Sequence, residues 1–188
     1  TMNANSMIRH CYVNSTTDGG AGAHISGILK MSDFAAICFN TNINTYGTSI
    51  GGRYAVGGAY VKTLEMSGNS SIYGNFSQTK GSSDASAKGG AGVYIYGSDD
   101  SVISDNASIR DNFSYYQLCS GVYFPSSKLI LADSASVVSN SVIPNSMRVP
   151  YSQALYGSTL IMSNKASVVY NGNKVSSSTG EKPEGCMQ

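Results

Sequence analysis

Apolar residues in this chain recur in a frame longer than any single helix or strand. Counting from an apolar anchor, a second apolar residue follows six places on and an asparagine nine places on. The frame fits Met31, Ile37, Asn40; Met66, Ile72, Asn75; Ile103, Ile109, Asn112; Leu131, Val137, Asn140; and Met162, Val168, Asn171. An earlier copy opens at Met2 with Ile8, and Cys11 takes the asparagine place. Successive anchors lie 29, 35, 37, 28 and 31 residues apart, the period of a stacked array of repeats. Inside each copy the apolar period is two. Leu64 and Met66 fall on one side with Thr63 and Glu65 on the other, and Ala59 and Val61 oppose Tyr60. Alternation of this kind predicts short strands, and no copy sustains the 3.6-residue period of a helix.

A glycine-marked turn and a short apolar–aromatic–apolar run precede most copies. Examples are Gly57-Gly58-Ala59-Tyr60-Val61 and Ser120-Gly121-Val122-Tyr123-Phe124. Each unit is therefore expected to run: glycine turn, three short strands, asparagine turn, variable loop. Strands this short cannot stand alone, nor can one repeat bury its inner face. Stacking the copies in parallel solves both problems. The expected fold is all-β, a right-handed parallel β-helix (solenoid) of about six rungs with three short strands per rung, the hand following from the rule for parallel crossovers. Residues 1–171 are expected to form a single β-helix domain, a slice of a longer solenoid. Residues 172–188 are expected to be an irregular tail or linker.

Composition narrows the function classes. Only 12% of residues are charged and the net charge is +1, which argues against a nucleic-acid surface. No apolar run approaches the length of a membrane span, so no transmembrane segment is expected in this chain. The four cysteines, Cys11, Cys38, Cys119 and Cys186, form no Cys-x-x-Cys pair, so no metal is expected. Strand geometry would separate Cys11 and Cys38 by roughly 8 Å, too far for a disulfide, and free thiols are expected.

In register, the copies make columns. Met31, Met66 and Met162 belong to an inward ladder. Asn40, Asn75, Asn112, Asn140 and Asn171 should stack at a turn, their amides bonding along the axis. His24, Tyr60, Tyr94, Tyr123 and Tyr156 should stack outward about 4.8 Å apart, and such a strip suits sugar rings or a protein partner. Mutual stacking that stabilises the sheet is the competing explanation. A second outward column, Lys30, Glu65, Val102, Ile130 and Ile161, turns apolar toward the C-terminal end and predicts lateral packing. Asp105 and Asp133 fall at one repeat position on adjacent copies, beside Asp33, Gly68 and Asn164. Such a pair could cut glycosides or hold calcium, but Asp, Asn and Gly are also what a turn wants there. If the protein is secreted by a eukaryote, Asn14, Asn69 and Asn106 are better glycan acceptors than Asn75 or Asn112, which the inward ladder would hide.

Gly-Gly-Ala at 19–21, 57–59 and 89–91, paired with downstream Ile- or Val-x-x-Asn, resembles the repeats of the chlamydial polymorphic outer membrane proteins. Those carry Gly-Gly-Ala-aliphatic and Phe-x-x-Asn tetrapeptides. The resemblance covers the chain to about residue 171, with Ile or Val in place of Phe. It implies a right-handed β-helical passenger at a cell surface or outside the cell, acting as an adhesin without catalytic residues or cofactor. The expected function is thus non-enzymatic adhesion or assembly through side loops (41–56, 76–88, 141–153) and the tyrosine strip. The partner would be a host or neighbouring-cell surface protein or glycan, or a second copy of the chain. A carbohydrate-active β-helix using Asp105 and Asp133, and a subunit of an extracellular filament, are the alternatives.

Overall fold

Each short strand finds its hydrogen-bond partners in the next copy of the repeat, not in its own. In a computed structural model of the chain, residues 1–15, 19–45, 54–80, 89–115, 119–143, 153–169 and 172–173 are described. They form an all-β structure of parallel sheets. The first sheet stacks Met7–Arg9, Ala36–Cys38, Ser71–Tyr73, Ser108–Arg110, Ser136–Val138 and Ser167–Val169. The second stacks Tyr12–Ser15, Thr41–Thr45, Phe76–Lys80, Phe113–Tyr115, Ser141–Ile143 and Gly172–Asn173. The third holds Ala23–Met31, Ala59–Met66, Val93–Ile95, Ser101–Ile103, Cys119–Leu131 and Gln153–Met162. Every register joins equivalent repeat positions, for example Ile8, Ile37, Ile72, Ile109, Val137 and Val168 in the first sheet.

The order within a copy differs from the expected one. One long strand, such as Ala59–Met66, occupies the place of two, and the third strand follows the asparagine instead of preceding it. Thr41–Thr45 and Phe76–Lys80 lie in stretches that read as loop because their inward residues are polar: Asn42, Ser77 and Ser114 are buried without being apolar. Gly172–Asn173 pairs with Ser141 and Val142, so the second sheet runs two residues past the expected boundary at 171. The remainder of the expected tail, Asn171 and Cys186 lie outside the described residues.

The inner face is one continuous column of apolar side chains. Met31, Met66, Ile103 and Leu131 are at most 2% exposed, and Ile37, Ile72, Ile109 and Val137 are fully buried. Ala35, Ser70, Ala107 and Ala135 fill the narrow place two residues before the second set. Burying each large side chain contributes about 1.5–3 kcal/mol relative to exposure. Met162 departs from this pattern at 43% exposed. Its strand pairs only with Cys119–Leu131, so no described strand covers its other side.

The asparagines lock the copies together. Asn75 Oδ1 accepts from the Asn40 backbone N–H (3.1 Å) and from Asn40 Nδ2 (3.0 Å). Asn75 Nδ2 donates to the Ile37 carbonyl and to Asn112 Oδ1, both at 3.0 Å. Asn112 repeats the arrangement between Asn75, Ile72 and Asn140. All four hydrogen-bonding sites of the amide are used, and both residues are fully buried. Cys11, lacking an amide, still donates its backbone N–H to Asn40 Oδ1 at 3.0 Å.

The glycine turn is tied to the same motif by close approach. A Cβ on Gly22 would come within 2.6 Å of the Gly58 carbonyl oxygen and 2.8 Å of Asn40 Nδ2. Gly58, Gly92 and Gly121 repeat the contact with the next copy's carbonyl and with their own Asn. Register joins Ala23 to Ala59 and Ala59 to Val93. The triplets at 19–21 and 89–91 therefore sit two positions away from the triplet at 57–59. The constant element is the single glycine at 22, 58, 92 and 121, and Gly-Gly-Ala as a unit is not.

Replacing Asn112 with Ala leaves the Asn75 backbone N–H without its acceptor, removes one of the two acceptors of Asn75 Nδ2 and takes a donor from Asn140 Oδ1 and the Ile72 carbonyl, each buried unpaired group costing about 1–3 kcal/mol. The expected loss in urea unfolding is roughly 3–5 kcal/mol. Asn106→Ala, at an exposed turn, should cost under about 1 kcal/mol.

Candidate binding surfaces

The aromatic column forms at the expected spacing but not with the expected exposure. Ring centroids are 4.8 Å apart for His24–Tyr60, 5.0 Å for Tyr60–Tyr94, 4.9 Å for Tyr94–Tyr123 and 5.1 Å for Tyr123–Tyr156. Tyr94 and Tyr123 are nevertheless buried, while His24 and Tyr156 are exposed and Tyr60 is half-buried. A second layer covers the middle of the strip. Tyr54 packs on Tyr94 at 4.6 Å, Tyr96 stacks on Tyr60 at 5.0 Å, and Val56 and Cys119 complete the cluster. Tyr54 and Val56 come from a stretch that reads as polar loop, which is why the sequence pattern left the column open. Tyr94 and Tyr123 are closed to a ligand, and His24, Tyr60 and Tyr156 keep accessible surface.

Burial suppresses ionisation in this cluster. Tyr94 is pushed well up by burial and by its hydrogen bond with Tyr54. Tyr123 is pushed up to about 12, by burial first and then by neighbouring Tyr156 and Tyr54. The Cys119 thiol, 3.1 Å from the Val122 and Ala154 carbonyl oxygens, is pushed up to about 12 by burial. A buried thiol held neutral is a poor nucleophile. Cys11, Cys38 and Cys119 are all free.

Asp105 and Asp133 do come onto adjacent copies, but as turn residues. Asp33, Asp105, Asp133 and Asn164 all have φ between 56° and 59°, and Gly68 in the same column has φ 64°. Asp33 Oδ2 accepts from the Ala4 backbone N–H at 2.9 Å, and Asp105 Oδ2 from Gly68 N–H at 2.8 Å. Asp133 accepts from Asn164 Nδ2 at 3.0 Å and from Asp105 N–H at 3.4 Å. Each carboxylate thus ties its copy to a neighbour. Asp and Asn tolerate the left-handed conformation that the turn requires. Among the described residues no group of three or more His, Cys, Asp or Glu side chains is placed to hold a metal ion.

The column Lys30, Glu65, Val102, Ile130 and Ile161 is in register. Lys30 and Glu65 pair at 2.6 Å, Val102 and Ile130 are half-buried, and Ile161 is exposed. Beside it lies a groove of about 390 Å³ whose walls include Lys30, Glu65, Val102, Ser67 and Ser104. The side loops lie largely outside the described residues, namely 46–53, 81–88 and 144–152. No helix among the described residues is long and apolar enough to cross a membrane. Asn69 and Asn106 are exposed, whereas Asn75 and Asn112 are buried.

Compared with protein-family models, with curated proteins and with solved structures, the chain matches none. Its functional reading therefore rests on its own geometry.

That geometry also includes a surface the sequence pattern passed over. The residue just before the ladder asparagine takes positive φ in every described copy: His10, Phe39, Gly74, Asp111 and Ser139. The signal was an aromatic ring in a place that suits glycine, aspartate or serine: Phe39, with His10 and, in the sequence, Tyr170 at the same repeat position.

Two measurements follow from the site. Asp105→Asn and Asp133→Asn keep both the turn conformation and an acceptor oxygen, so each should change stability by less than about 0.5 kcal/mol, while Asp105→Ala should cost about 1 kcal/mol or more. The raised groups also set an alkaline limit. Tyr123 and Cys119 favour their neutral forms in the fold, so the stability they contribute is complete below the ordinary values of 10.0 and 9.0. It is lost as pH climbs from those values through about 12, because the unfolded chain then binds fewer protons than the folded one. Urea midpoints should fall across that window, and Tyr123→Phe should flatten the fall.

Proposed function

We propose that the chain is a stretch of a right-handed parallel β-helix, about six rungs of three strands, displayed at a cell surface or secreted. On this reading it mediates adhesion or assembly without catalysis, as repeats of the polymorphic outer membrane protein type would. One observation carries the proposal: the layers are alike inside and unlike outside. The inward columns repeat Met, Ile, Leu and Asn, while a column on the other face of the first sheet runs Arg9, Tyr73, Arg110, Val138 and Val169, with Cys38 buried between Arg9 and Tyr73. A stack that conserves its shaft while changing its surface layer by layer is free to carry recognition. The Ile- or Val-x-x-Asn frame supports the family resemblance, and the Gly-Gly-Ala triplets, being out of register, add little to it. Partners of this class are a surface protein or glycan of another cell.

Self-association is a second reading, favoured by the exposed face of Gln153–Met162, the last described strand of the third sheet. Leu160, Ile161 and Met162 are 40–45% exposed there, although Leu160 and Met162 hold inward repeat positions.

Beads coated with the folded protein should retain host or neighbouring cells more than beads coated with heat-unfolded protein. Equal retention would remove the adhesion reading. A screen of pectin, alginate and glycosaminoglycans should show no cleavage. Cleavage abolished by Asp105→Asn and Asp133→Asn would establish the carbohydrate-active alternative instead. In sedimentation, a rise in mass with concentration that Met162→Lys suppresses would support self-association.

A further inference from the structure

An aromatic and cationic strip runs up the corner between the first and second sheets. His10 and Phe39 stack with ring centroids 5.7 Å apart at 14°. Phe39 meets Tyr73 edge to face at 5.2 Å. The Arg110 guanidinium lies 4.3 Å from the Tyr73 ring centre and pairs with Asp111 at 2.8 Å. Arg9 continues the column below, in register with Cys38 and Tyr73. His10 and Arg9 are exposed, and Phe39, Tyr73 and Arg110 are half-buried. None of the rings belongs to a core cluster.

The strip is arranged at a cost. Phe39 has φ 55°, a conformation that is an outlier for a bulky residue and is found where function offsets strain. Gly74, one copy on, makes room for it: a Cβ there would stand 2.7 Å from Phe39 Cε1. Tyr73 is held by a hydrogen bond with Cys38, which together with partial burial raises its phenol, while Arg110 and Arg9 act in the opposite sense. Both arginines therefore lie within electrostatic reach of the same ring.

We propose that this strip, from Arg9 and His10 through Phe39 and Tyr73 to Arg110, is a binding site for an acidic polysaccharide chain. Sugar rings present C–H faces that pack on aromatic rings, and a guanidinium recognises a carboxylate or sulfate through paired hydrogen bonds. Arg9 and Arg110 sit three strand spacings apart, roughly 14 Å, the span of a chain rather than of one sugar. Single-stranded nucleic acid fits less well. The strip is narrow and its rings lie partly against one another, which suits a sugar edge lying along them better than bases inserted between aromatic rings. The inference rests on the surface-exposed, non-enzymatic reading above and names its ligand class.

Calorimetry with hyaluronan and polygalacturonate as carboxylated probes, heparin as a sulfated probe and dextran as a neutral one tests it. Binding is expected to at least one acidic probe and not to dextran, and it should weaken with added salt. Carboxylated and sulfated probes separate the two anion chemistries. Arg110→Gln and Phe39→Gly should each weaken binding about tenfold. Phe39→Gly should do so with an unchanged or higher urea midpoint, since glycine adopts this φ without strain. The proposal is overturned if no acidic probe binds, if both variants bind as the parent does, or if an oligothymidylate binds more tightly than every acidic polysaccharide. If Phe39→Gly loses stability as well as binding, Arg110→Gln alone decides: undiminished binding in that variant sinks the proposal. Bead adhesion that persists without probe binding would leave the surface reading standing and remove only this site.

Discussion

A primary amide buried away from water must fill two donor and two acceptor positions or destabilise the fold that holds it. Asn75 and Asn112 fill all four, and they can do so only when the copies before and after sit directly in line. The other features follow from that alignment. The apolar column closes because each Ile or Val stands over its equivalent. The glycine at 22, 58, 92 and 121 is required because the chain there runs against the next copy's carbonyl and its own asparagine. The left-handed turn residues, Asp105 and Asp133 among them, bond the backbone of neighbouring copies. A slip of one residue would turn the inward set outward and break every amide bond together.

The interior therefore leaves the exterior free to vary. Aspartates that could have formed a catalytic pair serve a turn. The middle of the tyrosine strip is covered: Tyr54 packs on Tyr94 and Tyr96 on Tyr60, and the phenols of Tyr94 and Tyr123 are held neutral. The surface that remains is the corner beside the asparagine ladder, where Phe39 takes a strained conformation without joining a core. Self-stacking aromatics under a second layer contribute to stability, whereas the half-exposed aromatics beside two arginines are the ones on which the proposed site is drawn.

Much of the fold could be read from the sequence because its signal is long-range and repeated. The anchors, the apolar place six residues on and the asparagine at nine fall in register wherever the structure describes them. What escaped was local. The strand after the asparagine was hidden because its inward residues, such as Asn42 and Ser77, are polar, so period-two hydrophobicity does not mark it. The cover over Tyr94 came from Tyr54 and Val56, whose approach depends on tertiary packing that no spacing records. Gly-Gly-Ala misled because the same three letters occur two positions apart in register, the structural demand falling on one glycine only. The exposed aromatic corner was missed because its residues share no type. They share a backbone conformation instead.

Hydrogen exchange of the asparagine side-chain amides, followed residue by residue by NMR, tests the alignment most directly. The amide protons of Asn75 and Asn112 should exchange only through global unfolding, with the free energy of the most protected central strands, while those of Asn69 and Asn106 exchange as in a free peptide. Exchange of Asn75 and Asn112 as fast as that of Asn69 would show that the buried amides are not bonded copy to copy, and the in-line stack would be contradicted.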